Sequence, residues 1–181
     1  SQTMLLYYPP NKSGPYSIPS TVTSIGGSAF SDCTGLTGVT IPDSVTNIGD
    51  RAFEYCVYLA DVTIPNSVIS IGRLAFRRCQ NLTSVVVGSG VTKIGSDVFY
   101  ESLRLTSVTF LGAYPGIVPD DSWIYGDGEN PLHDVTTYIY AANAASWNPH
   151  FINGPVENGG AFWLGQPIRL AAETGIPAVY T

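Results

Sequence analysis

Hydrophobic and polar positions along this chain repeat every 23 residues. From Ile18 the chain divides without gaps into four rows, 18–40, 41–63, 64–86 and 87–109. Ile-Gly, Ala-Phe, Cys and Leu-x-x-Val return in register, except that row four carries Val98 for the Ala and Ser102 for the Cys. A fixed period of this length marks a solenoid, in which each row is one coil and equivalent residues stack one rung apart.

One row can be read residue by residue. Residues 59–64, Leu-Ala-Asp-Val-Thr-Ile, alternate at their end, which predicts a strand with Val62 and Ile64 inward and Asp61 and Thr63 outward. Pro65 ends that strand, having no N–H for a ladder. A second, shorter extended piece is predicted over 67–71, closed by Gly72 at a turn that needs positive φ or a close backbone approach. Residues 73–79 place Leu74, Ala75 and Phe76 ahead of polar positions and predict a single helical or 3-10 turn. A row offers about seven inward apolar groups, too few to offset the ordering of its whole length. Neighbouring rows must therefore share one core and one parallel ladder. The predicted class is an α/β solenoid of leucine-rich repeat type, with a parallel β-sheet and short helical or 3-10 turns.

The same register aligns chemistry. Cys33, Cys56 and Cys79 fall at one corner of successive coils, about 4.8 Å apart if they follow the strand spacing. Zinc sites need four ligands at closer sequence spacing, and thiols in equivalent rotamers do not point at each other. The three are predicted to be free, buried and weak donors to backbone. Asp50 with Arg73, Glu54 with Arg77, and Arg78 with Glu101 are opposite in sign and one row apart. They predict inter-coil ion pairs that hold register, each giving about 0.2–1 kcal/mol.

Composition agrees and removes some functions. Charged residues are 12% of the chain, while Gly (19), Pro (13) and Tyr (11) are abundant, which favours short strands and tight turns. The net charge of −6 is concentrated after the rows: residues 110–181 hold seven acidic groups against Arg169 alone. With no basic stripe, nucleic acid is excluded as a partner. No apolar run is long enough to span a bilayer as a helix. The opening Ser1-Gln2-Thr3-Met4 reads as a processed or trimmed start, which leaves export open.

The row pattern I-P-x-S-V-T-x-I-G-x-x-A-F-x-x-C-x-x-L-T-x-V-T resembles the BspA-like, treponemal-type leucine-rich repeats of bacterial surface proteins. Rows one to three match at nearly every position; row four departs at Gly88, Val98 and Ser102. The resemblance extends weakly to 5–17. It also reaches Thr136-Thr137-Tyr138-Ile139-Tyr140, which reads as a final strand, followed by a loop around Trp147 and then residues 164–168. It implies a right-handed, exported or surface-attached solenoid used in adhesion or ligand binding, extracellular or on a bacterial cell surface. It carries over no catalytic residues, no cofactor and no particular ligand.

Both solenoid ends need cover. Residues 1–17, with Leu5, Leu6, Tyr7 and Tyr8, are assigned to the N-terminal cap, 18–109 to the repeats, and 110–181 to an irregular, β-rich C-terminal cap in which Leu111 onward leaves the register. Aromatics of that cap, including Trp123, Tyr125 and Trp147, form either its core or a sugar-stacking platform. Asp120-Asp121 and Asp127-Gly128-Glu129-Asn130 miss the offsets of a Ca²⁺ loop, and His133 and His150 lack a nucleophile elbow or any other catalytic motif. An enzyme is not expected. The outward strand positions Thr40, Asp61, Thr63, Ser84, Ser107 and Thr109 make a small, mostly hydroxyl-lined face without Trp, Tyr or Arg anchors. The expected function is a non-enzymatic module that binds a protein or glycan ligand through that face or through Trp123, Tyr125 and Trp147. The alternative is a structural spacer without a ligand; a carbohydrate-active enzyme is a third, weaker reading.

Overall fold

A computed structural model describes residues 3–117, 135–140, 143–147, 162–163 and 166–171. Its strands are short, as the Gly- and Pro-rich rows require. In chain order they are β1 (Met4–Leu5), β2 (Gly14–Ser17), β3 (Ser24–Ile25), β4 (Leu36–Thr40), β5 (Asn47–Ile48), β6 (Asp61–Ile64) and β7 (Ser70–Ile71). There follow β8 (Ser84–Val87), β9 (Lys93–Ile94), β10 (Ser107–Phe110), β11 (Gly116–Ile117), β12 (Thr136–Tyr140), the single-turn helix α1 (Ala144–Trp147), β13 (Phe162–Trp163) and β14 (Gln166–Ala171).

Each row contributes one rung to each of two sides of a flattened coil. One side stacks β1-β3-β5-β7-β9-β11, all parallel. The other carries the longer strands, with β6-β8-β10-β12-β14 parallel and β13 antiparallel at its end. Ladder partners such as Val62, Val85 and Val108 are 23 apart, so the register read from sequence is the register of the sheet. Val62 and Ile64 are buried, Asp61 and Thr63 exposed, and β6 stops at Pro65. Phe30, Phe53, Phe76 and Phe99 stack along the core with centroids 4.8, 5.1 and 5.8 Å apart. The three cysteines are free and buried.

The corner predicted to be helical is not a helix. At every coil two non-glycine residues take a left-handed backbone: Ser28, Arg51, Leu74 and Asp97, then Asp32, Tyr55, Arg78 and Glu101, with φ between 55° and 60°. This alternation turns every second N–H toward the next coil. In row one Ser28, Phe30 and Asp32 donate to the carbonyls of Asp50, Ala52 and Glu54 at 2.9, 2.7 and 2.9 Å. The residues between them, Ala29, Ser31 and Cys33, close local turns onto Gly26, Ser28 and Phe30. Half of the donors a helical turn would keep for itself are spent between coils. Gly72 serves close approach rather than positive φ: a Cβ there would stand 2.4 Å from the Asp50 nitrogen.

The ends also differ from expectation. Residues 3–17 form an incomplete coil, since β1 pairs with β3 and β2 with β4. Of the four apolar residues assigned to cover that end, Leu5 and Tyr8 pack on the core, the Tyr8 ring 5.0 Å from Phe30. Leu6 and Tyr7 face solvent. The 23-residue register survives Leu111, because Gly116 and Ile117 pair with Lys93 and Ile94. β12 has the bounds expected of a final strand, but β14 adds a further rung beyond it, and Ala144–Trp147 is a helical turn rather than a loop.

Candidate functional site

The long-strand side is interrupted at one place among the described residues. β4 is hydrogen-bonded to β2 along one edge and β6 to β8 along one edge, but β4 and β6 form no ladder with each other. They begin to pair, with Ala60 N–H donating to Thr37 O at 3.3 Å, and then part. On the opposite side the same two coils remain joined through β3 and β5. Two local features lie at the parting. β4 bulges at Thr37 against β2, and Gly38, at the row position of Asp61, Ser84 and Ser107, brings no side chain to the junction. Proline at 65 then removes a corner donor: the bond that Leu111 N–H gives Val87 O in a later coil cannot be made from Pro65 to Ile41.

The result is a groove of about 850 Å³ between the first and second complete coils. Val39, Ile41 and Pro65 give it an apolar floor, and Thr40, Asp61 and Thr63 stand exposed on its walls. Asp43 and Asn66 are exposed at its rim, and no basic residue lines it. The Asp61 carboxylate is steadied from one side, where its Oδ1 accepts from the hydroxyls of Ser84 at 2.7 Å and Thr83 at 3.0 Å.

The structure thus divides the outward residues selected from sequence. Thr40, Asp61 and Thr63 come together in the groove, while Ser84, Ser107 and Thr109 lie on closely paired rungs farther along the face. Trp147 is fully buried, 4.9 Å from the Phe110 ring and 5.1 Å from Tyr114, so it serves the core and presents no stacking platform. Trp123, Tyr125, His133, His150 and the acidic loop 120–130 lie outside the described residues. Asp43 and Asn66 were given no role by the sequence reading; proline stands at the same position of three consecutive rows, Pro19, Pro42 and Pro65, so it does not single out this junction. Among the described residues no group of three or more His, Cys, Asp or Glu side chains could hold a metal ion, and no helix is long and apolar enough to cross a membrane.

Charges fulfil two of the three expected ladders. Arg77 meets Glu54 at 2.8 Å, and Arg78 meets Glu101 and the Tyr55 hydroxyl. The third pair is replaced. Asp50 lies against the backbone of the next coil, where its Oδ1 accepts from the main-chain N–H of Arg73 at 2.8 Å, and the Arg73 guanidinium reaches Ser96 and Asp97 instead.

These features define a leucine-rich parallel β-solenoid of about five turns with an open groove on its strand face. The BspA type leucine rich repeat region model matches six copies over residues 12–117, and the chain belongs to that family. It is similar to the leucine-rich repeat protein TpLRR of T. pallidum, at 27% identity and TM-score 0.58 over 68% of this chain and 57% of that one. A leucine-rich cell surface protein of Faecalibacterium prausnitzii matches at 25% identity and TM-score 0.66, over 81% of this chain and 37% of that one. The pneumococcal vaccine antigen PcpA, at 19% identity and TM-score 0.68, shares the fold over 94% of this chain and 44% of its own. No curated protein matches the chain. The chain therefore spans little more than half, or less, of these solved relatives.

Proposed function

We propose that the chain is a non-enzymatic, extracellular or cell-surface binding module whose protein or glycan ligand seats in the groove between β4 and β6. The observation that carries this reading is the open ladder: between the described ends of the strand face, β4 and β6 are the neighbouring rungs that form no ladder, and Thr40, Asp61 and Thr63 stand beside that break. Family membership supports it, as does the description of the F. prausnitzii relative as a cell surface protein. The remainder of the face, with Ser84, Ser107 and Thr109, has no large anchor side chain of the kind that dominates interface energetics.

Combined glycan and peptide arrays test the proposal with three proteins: the wild type, Thr63→Trp, which fills the groove, and Thr109→Trp, which adds the same bulk on paired rungs. A ligand lost at least tenfold with Thr63→Trp and retained with Thr109→Trp is the expected result. Loss with Thr109→Trp alone would move the site off the groove. Silence of the wild-type protein would leave the spacer role as the better account.

A further inference from the structure

Resting on that reading, we infer that the groove's ligand is an extended, cationic peptide segment rather than a glycan. Three features of the groove select this chemistry. First, β4 and β6 each leave one edge outside any ladder, and these edges face the groove. An extended backbone is the ligand whose own N–H and C=O groups match a strand edge, and it reads side chains at every second position. A sugar offers no such linear array.

Second, the groove carries Asp43 and Asp61 and lacks a lining cation. Among the described residues, the arginine ion pairs lie elsewhere: Glu54 takes Arg51 and Arg77, Asp97 takes Arg73, and Glu101 takes Arg78. Ser84 and Thr83 orient Asp61 with hydroxyl hydrogen bonds without neutralising it. Lys or Arg side chains of a ligand complete the electrostatics, as charge complementarity between partners requires. Third, the floor of Val39, Ile41 and Pro65 is aliphatic, and no aromatic ring lines the groove to stack on a sugar. The ligand lies along the mouth, its main chain against a strand edge and its cations at Asp43 and Asp61.

The test uses the full chain and a ten-residue peptide of alternating Lys and Thr, followed by fluorescence anisotropy at low salt. The expected outcome is saturable binding that weakens at least tenfold in D43N/D61N and less than twofold in D32N, whose carboxylate lies away from the groove. A peptide with Glu in place of Lys should not bind. A peptide N-methylated at alternate main-chain nitrogens keeps every charge and should bind at least tenfold more weakly. Equal binding of the Glu peptide, equal binding of the N-methylated peptide, or indifference to D43N/D61N would each overturn the inference. Should a glycan bind in a manner blocked by Thr63→Trp while the Lys/Thr peptide does not, the groove stands and the cationic peptide falls. Should Thr63→Trp block no ligand at all, the groove reading falls with it.

Discussion

Ser102 occupies the corner that Cys33, Cys56 and Cys79 occupy in the earlier rows, and it does the same job. Its hydroxyl donates to Phe76 O at 2.8 Å, while Cys56 and Cys79 donate to Phe30 O at 3.1 Å and Phe53 O at 3.2 Å. The column is therefore a set of inter-coil hydrogen bonds in which sulfur and oxygen are interchangeable. Burial disfavours the thiolate at each cysteine: desolvation pushes Cys56 and Cys79 far upward and Cys33 to about 11. The folded state thus keeps protons that the unfolded chain releases above the ordinary thiol value of 9.0. Stability is full below pH 9 and falls as pH rises through that value toward 11 and beyond. Urea unfolding of the triple variant C33S/C56S/C79S should show a total cost of about 3 kcal/mol or less at pH 7, about 1 kcal/mol or less per substitution. The same variant should lose most of the wild-type decline between pH 9 and 11. An undiminished decline would assign the alkaline sensitivity to other groups.

Strands of the long side change from apolar to polar at one buried position. Val62, Val85 and Val108 form an inward column, and the ladder continues it with Thr137 of β12. Thr137 is fully buried and its Oγ1 has no hydrogen-bond partner. A hydroxyl so placed costs free energy that a methyl group of the same shape does not. Thr137→Val should therefore stabilise the chain by about 1 kcal/mol, read as a higher denaturation midpoint at unchanged slope; a destabilised variant would mean the hydroxyl has a partner after all. The strands themselves were legible because their inward and outward residues alternate in every row. The corner was not. Ser28, Arg51, Leu74 and Asp97 share a left-handed backbone although no two are alike in side chain, so residue type carries no sign of it. What selects that conformation is the neighbouring coil, whose carbonyls wait at hydrogen-bonding distance, and a single row cannot display its neighbour. The Asp50 and Arg73 pairing failed for a related reason, since alignment gives adjacency along the stack but not whether a carboxylate meets a side chain or the main chain.

Across the whole solenoid, coils bind only their neighbours, so stability is a chain of nearest-neighbour contacts and a weak junction stays local. The junction between the first and second complete coils is held by the short strands β3 and β5 and by the Phe30–Phe53 stack, but not by a ladder between the long strands. Thr40, Asp61 and Thr63 were legible as an outward face through simple alternation; that they border a groove depends on β4 and β6 staying unpaired, an event in pairing rather than in pattern. Native-state hydrogen exchange should register the difference. In the interior rungs the amides of Val85 and Val108 sit in ladders continuous on both sides, so they should exchange at least tenfold more slowly than those of Val39 and Thr63, which border the open junction. Filling the groove with the Lys/Thr peptide should slow Val39 and Thr63 and leave Val85 and Val108 unchanged, because occupancy adds main-chain partners only at the break. Uniform exchange along the stack would show that β4 and β6 are joined in solution as tightly as the other rungs, and the groove would lose its physical basis.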